Sequence, residues 1–299
     1  MQSGKRVLLV GDHKQLPPTY QDNHKIELSR RLKINQNDPD FDWVLKSDFE
    51  RAFDSEYGKF AGAKLLIQYR MAEPIGNMVS DVFYESELKT GVRHVPDIYN
   101  NLCAPLSAPV TWLDLSPLGH RAKSQQDQNH SSFNTGEAEQ IIAVLKQIED
   151  NSDFVNDLSE VAGDEPAIGV ICMYGAQKRL LFRKFNEHIW SDKFREMVKI
   201  DTVDSYQGKE NRVIIVSTTL NTDDKNPRFL KVLNRINVAM SRAMDRLLIV
   251  GATDMWKNRN RDYPLGKIAG YMLNNQGADY RFVKATHSQS TGGNKNVKR

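Results

Sequence analysis

Short, unbroken apolar runs recur along the chain: RVLLVG (6–11), KLLIQ (64–68), VTWLDL (110–115), AIGVICM (167–173), VKIDTV (198–203), RVIIVST (212–218) and RLLIVG (246–251). Each is too short for a helix of ordinary length and rich in branched side chains, so each predicts a buried strand. Between the runs the apolar spacing turns helical. In 74–84, Ile75, Met78, Val79, Val82 and Phe83 share one face behind Pro74, a residue suited to a first turn. In 135–149, Asn134 and Glu137 stand in capping-box spacing ahead of Ala138, Ile141, Ile142, Leu145 and Ile148. Strand and helix alternating in this way predict an α/β fold, a mainly parallel sheet covered by helices on both faces.

Three segments break the rhythm. Residues 19–46 are polar, carry NQNDPD and predict an inserted loop or small subdomain. GHRAKSQQDQNHSSFN (119–134) predicts a surface loop, and 285–299 a disordered tail rich in Ser, Gly, Asn and Lys. No internal repeat is visible.

Composition narrows the partners only slightly. The 299 residues carry a net charge of +3, which permits a nucleic-acid partner without arguing for one. The two cysteines, Cys103 and Cys172, have no metal-binding or disulfide spacing, so no metal is expected on the chain itself. No apolar stretch approaches the ~20 residues that span a bilayer, and no signal peptide opens the chain. A reducing setting, cytoplasmic or nuclear and away from membranes, is expected.

Five motifs carry the chemistry: GDHKQLPP (11–18), QYRMAEP (68–74), IGVICMYGAQ (168–177), TVDSYQGKE (202–210) and NRINVAMSRA (234–243). Each alone has a plain structural alternative: a Gly-Asp-Pro turn, an ion-pairing arginine, two strand-to-helix or strand-to-strand turns, and a helix with surface arginines. In this order they resemble motifs III to VI of superfamily 1 helicases. The closest likeness is to the 5′-to-3′ group that contains the nonsense-mediated-decay helicase and the Okazaki-fragment helicase-nuclease.

The resemblance covers about residues 5–256 and implies a RecA-like sheet and a set of roles. Gln15 would touch the terminal phosphate of ATP, its amide both donating and accepting. Arg70 and Arg242 would stabilise the transferring phosphoryl group, Arg242 as an arginine finger. Tyr69, Gln207, Gly208, Glu210 and Arg235 would lie by the nucleotide. Thr202, Ser205, Tyr174 and Gln177 would lie by a single strand of DNA or RNA. One departure stands out. The family's His-Pro after Tyr-Arg-Met is here Ala72-Glu73-Pro74.

A nucleotide motor also needs GxxxxGK[ST] and an acidic pair after a strand to hold Mg²⁺. None of the Gly-Lys pairs (4–5, 58–59, 208–209, 266–267) is followed by Ser or Thr, and Asp164-Glu165 precedes a strand instead of following one. The resemblance therefore implies the back half of a motor. Residues 1–18 would be the last strand and motif III of a first RecA-like domain, and 19–60 a linker with a short helix. Residues 61–260 would form the second RecA-like domain, and 261–299 an extension. ATP and Mg²⁺ would be held by a missing N-terminal domain, and the chain alone would be inactive. Two other classes stay open here: a nucleic-acid-binding remnant without motor function, and a regulatory domain that uses the 19–46 insertion.

Overall fold

The computed structural model describes residues 8–17, 22–221, 227–257 and 260–286. The helices are α1 (Asp22–Leu32), α2 (Pro39–Leu45), α3 (Asp48–Asp54), α4 (Glu56–Ala61), α5 (Glu73–Phe83), α6 (Thr135–Glu149), α7 (Ser152–Ala162), α8 (Gly175–Asn186), α9 (Asp192–Met197), α10 (Leu233–Met240), α11 (Asp254–Lys257) and α12 (Pro264–Asn274). The strands are β1 (Ile67–Gln68), β2 (Lys89–Thr90), β3 (Val110–Asp114), β4 (Gln125–Gln126), β5 (Ser132–Phe133), β6 (Ile168–Cys172), β7 (Val198–Thr202), β8 (Asn211–Ser217), β9 (Ala243–Gly251) and β10 (Tyr280–Lys284).

Six of the strands form one sheet in the order β10-β3-β9-β8-β6-β7, parallel throughout. Successive residues of a strand face opposite sides, so a continuous apolar run supplies two cores. Ile214, Val216, Leu247 and Ile249 join α5, α10 and α12 on one face. Val213, Ile215, Leu248 and Val250 join α6, α7 and α8 on the other. Both faces are thus dry, which is the condition that the unbroken runs predicted.

Several expectations are revised. The described part of the insertion and linker, residues 22–61, holds the four short helices α1 to α4, with α2, α3 and α4 capped by Asp38, Ser47 and Ser55. The KLLIQ run contributes only β1, paired with β2. Residues 8–11 of the first run form no strand, and its Arg6 and Val7 lie outside the described residues. The sheet takes an edge strand, β10, from beyond residue 260. From 287 on, the expected tail lies outside the described residues.

The capping box is also only half made. Asn134 Oδ1 accepts from Glu137 N at 3.0 Å, but the Glu137 side chain turns into the protein. Fully buried, it accepts from Ser217 Oγ (2.6 Å), Thr218 Oγ1 (3.2 Å) and Thr219 N (2.8 Å). These bonds tie the start of α6 to the end of β8. Burial nevertheless outweighs them and pushes the Glu137 carboxyl up to about 8.

A carboxyl raised on folding stabilises fully below its unfolded value near 4.5, and that stability is lost as pH climbs to about 8. Thermal melts of the wild type and Glu137→Gln across this range should therefore diverge. The wild type should lose a few kcal/mol relative to the variant by pH 8. A difference independent of pH would show that Glu137 is already ionised in the folded protein.

Candidate functional site

Glu210 immediately precedes β8, and Arg242 immediately precedes β9, so the starts of two adjacent central strands bring them together. Gly208 makes the approach possible. Its φ of +81° lies in the left-handed region and turns the chain from the Asp204–Tyr206 turn into β8. Gly169 does the same by being small. A Cβ there would meet the Tyr206 hydroxyl at 2.5 Å, and that hydroxyl instead donates to Asn211 Oδ1 at 3.0 Å.

The Arg242 guanidinium is buried, and each nitrogen is answered. Nε donates to Val238 O (3.2 Å), Nη1 to Lys209 O (3.2 Å), and Nη2 to Gln15 Oε1 (3.2 Å) and Ser241 Oγ (3.4 Å). Burial, with the charge of Arg70 nearby, pushes its pKa down to about 10, which leaves it charged at neutral pH. Arg70 forms an ion pair with Glu210 and donates to Ser241 O at 3.4 Å. The partly exposed Arg70–Glu210 pair adds little stability but fixes where Arg70 points. Gln15, Arg70, Glu210 and Arg242, all singled out in the sequence, thus form one cluster.

The loop carrying Gln15 is clasped from α10 by residues that the motif reading missed. Asn234 Nδ2 donates to His13 O (2.7 Å) and Gln15 O (2.5 Å), and Asn237 Nδ2 donates to Lys14 O (2.9 Å) and the Tyr84 hydroxyl (2.9 Å). Tyr84 in turn donates to Asp12 Oδ2 at 2.6 Å. From the other side His13 packs on Phe53, ring centroids 5.2 Å apart, and on Phe49. The available signal was an asparagine at i and i+3 of a helix whose other residues, Arg235 apart, are apolar, where polar side chains are costly unless bonded.

The remaining candidates separate into other places. Gln207 and Tyr69 are exposed, with the Tyr69 ring packed on Gly91. Thr202 Oγ1 donates to Ser205 Oγ at 3.2 Å at the far end of β7. Arg235, expected beside the nucleotide, pairs with Asp204 at 3.3 Å and lies 4.6 Å over the Phe229 ring. Tyr174 is buried against that same ring, 5.7 Å away. Gln177 is wholly buried. It accepts from Asn134 N (2.7 Å) and donates to Ser217 Oγ (3.0 Å), so it presents nothing to a strand in this conformation.

Residues 44–254 match the family model described as AAA domain, AAA_12. The chain belongs to this family. Its similarity extends to an uncharacterized ATP-dependent helicase of Methanocaldococcus jannaschii, 29% identical over 85% of this chain and 33% of that protein. The DNA replication ATP-dependent helicase/nuclease of Gallus gallus is 28% identical over 83% of this chain and 20% of its own length. The regulator of nonsense transcripts 1 homolog of Neurospora crassa is likewise 28% identical, over 83% of this chain and 20% of its own length. The chain thus spans a fifth to a third of these relatives. Membership of the AAA_12 family and these relatives agree with the superfamily 1 helicase motifs and with the RecA-like sheet.

The clasp yields a direct expectation. Tyr84→Phe removes one acceptor from Asn237 and one donor from Asp12, about 1 kcal/mol of local support. Backbone amides of residues 12–15 should then exchange with deuterium roughly five- to tenfold faster, with the sheet amides unchanged. Unaltered exchange in the loop would mean that the Asn234 contacts alone hold it.

Proposed function

We propose that this chain is the ATP-coupling and strand-gripping part of an ATP-dependent DNA or RNA helicase, supplying its arginines to ATP held by an N-terminal RecA-like domain. The observation that carries this is the buried Arg242 donating to Gln15 of the GDHKQLPP loop, two motifs far apart in the sequence. A guanidinium is expensive to bury, and a purely strand-binding remnant has no use for one kept charged beside a second arginine.

The donor set fits phosphoryl oxygens. Arg70 offers a planar, permanent charge, Arg242 a second one, and Gln15 an amide that can take either role. Glu210 holds Arg70 in the place where an anion would hold it, so an arriving terminal phosphate replaces one negative partner by another. Mg²⁺ would neutralise developing phosphate charge, held in the N-terminal domain, because the Asp164-Glu165 pair of this chain precedes β6 instead of following a strand. The hydroxyls of Thr202 and Ser205 suit backbone phosphates of a single strand without reading its sequence.

The bare apolar surface supports the partner domain. Leu65 (89%) and Ile67 (56%) are exposed at the two-stranded β1–β2 pair, and Leu8 (87%) and Val10 (81%) on the segment that leads to Gln15. Parallel strands are otherwise covered on both faces, so a further sheet and its helices would complete this one.

Steady-state ATP turnover tests the proposal. The chain as given should hydrolyse no ATP, with or without single-stranded DNA or RNA. Joined to a phosphate-holding N-terminal domain it should turn over ATP, and Arg242→Ala should cut the rate by about 10³-fold or more. Turnover by this chain alone, or a joined Arg242→Ala variant at full rate, would sink it.

A further inference from the structure

Phe229 is 51% exposed, although it sits in a turn that the fold holds firmly. The turn Arg228–Lys231 is closed at both ends, Leu230 N donating to Pro227 O (2.9 Å) and Val232 N to Phe229 O (3.1 Å), and Leu230 anchors it in the core. The ring is also backed by side chains. Buried Tyr174 lies behind it, with centroids 5.7 Å apart, and the Arg235 guanidinium lies 4.6 Å from its centroid. Burying Phe229 would be favourable, yet its turn presents the ring to solvent.

The surroundings say what the ring would meet. Arg235 does not end at Phe229; it also pairs with Asp204 at 3.3 Å. Asp204 opens the short turn that carries Ser205, whose hydroxyl accepts from Thr202. One arginine therefore ties a half-exposed aromatic ring to a pair of hydroxyls suited to phosphate. An aromatic ring beside phosphate-holding groups is what a single strand requires at one nucleotide step, and every base has a face to stack.

We propose that Phe229, backed by Tyr174 and flanked by Arg235, is a stacking platform for one unpaired base of the strand. The inference rests on the strand-gripping role proposed above and adds the residue that takes a base. Phosphate contacts at Thr202 and Ser205 set the position, and Phe229 adds affinity without sequence preference. Arg235 keeps the ring turned outward while its charge stays near the strand backbone.

The test uses the chain as given, with fluorescein-labelled oligothymidine and oligouridine read by anisotropy at low salt. Phe229→Ala should weaken binding about tenfold or more, while Phe229→Tyr binds as the wild type does. The slope of log affinity against log salt should not change, because no phosphate contact is lost. On strands made of abasic sugar-phosphate, wild type and Phe229→Ala should bind alike. Should Phe229→Ala fail to fold, a strand carrying 2-aminopurine reports directly on the wild type, its emission quenched by stacking and restored in Phe229→Leu. Strand binding that Phe229→Ala and Phe229→Leu leave intact, with 2-aminopurine unquenched, overturns the platform alone. Failure of the wild type to bind any strand at low salt overturns both the platform and the strand-gripping role.

Discussion

A positive charge buried where a helix ends and the central strand begins has to be answered from every side. Arg242 meets that demand with carbonyls from its own helix and from Lys209, and with the side chains of Ser241 and Gln15. Three separate segments must therefore converge on one guanidinium: the motif III loop, the residues ahead of β8, and α10. Their convergence sets the geometry of the whole cluster. Arg70 then falls in beside it through Glu210 and the Ser241 carbonyl. The site is a consequence of neutralising this one buried group.

The sheet supplies the rigidity that such a site needs. Strands buried on both faces allow little adjustment, because packed interiors respond to displacement as solids. Glu137 adds a polar tie at the opposite end of β8 from Glu210, joining the helix that follows β3 to the residues that follow β8. The central strand β8 is thus pinned at both ends, by an ionic cluster at its start and by a buried carboxyl at its finish.

Much of this was legible in the chain. Runs such as RVIIVST and RLLIVG could only be strands with two dry faces, and the order of the five motifs brought Gln15, Arg70, Glu210 and Arg242 to attention. What could not be read was tertiary. Gln177 looks like a polar residue available at a helix start, but Asn134 and Ser217 claim it in space. Arg235 sits in the same motif as Arg242, yet it lies in the first turn of α10 while Arg242 lies past the helix end, and their side chains serve different regions. β10 carries a short run, YRFVK, whose place depends on pairing with β3, far away in the chain. The insertion reads as a loop or small subdomain because its helices are short and polar, with Phe41 the one buried apolar side chain among the described residues of α1 to α4.

The grips on the Gln15 loop from Asn234 and Asn237 fall on main-chain carbonyls of residues 13, 14 and 15, not on their side chains. Such a clasp is indifferent to what residues 13 and 14 are. Substitutions at those two positions can accumulate without moving the glutamine. The same substitutions can retune how the loop meets the aromatic pair on α3. The location of Gln15 and its neighbourhood are therefore separately adjustable, which lets the glutamine be inherited unchanged while its surroundings drift.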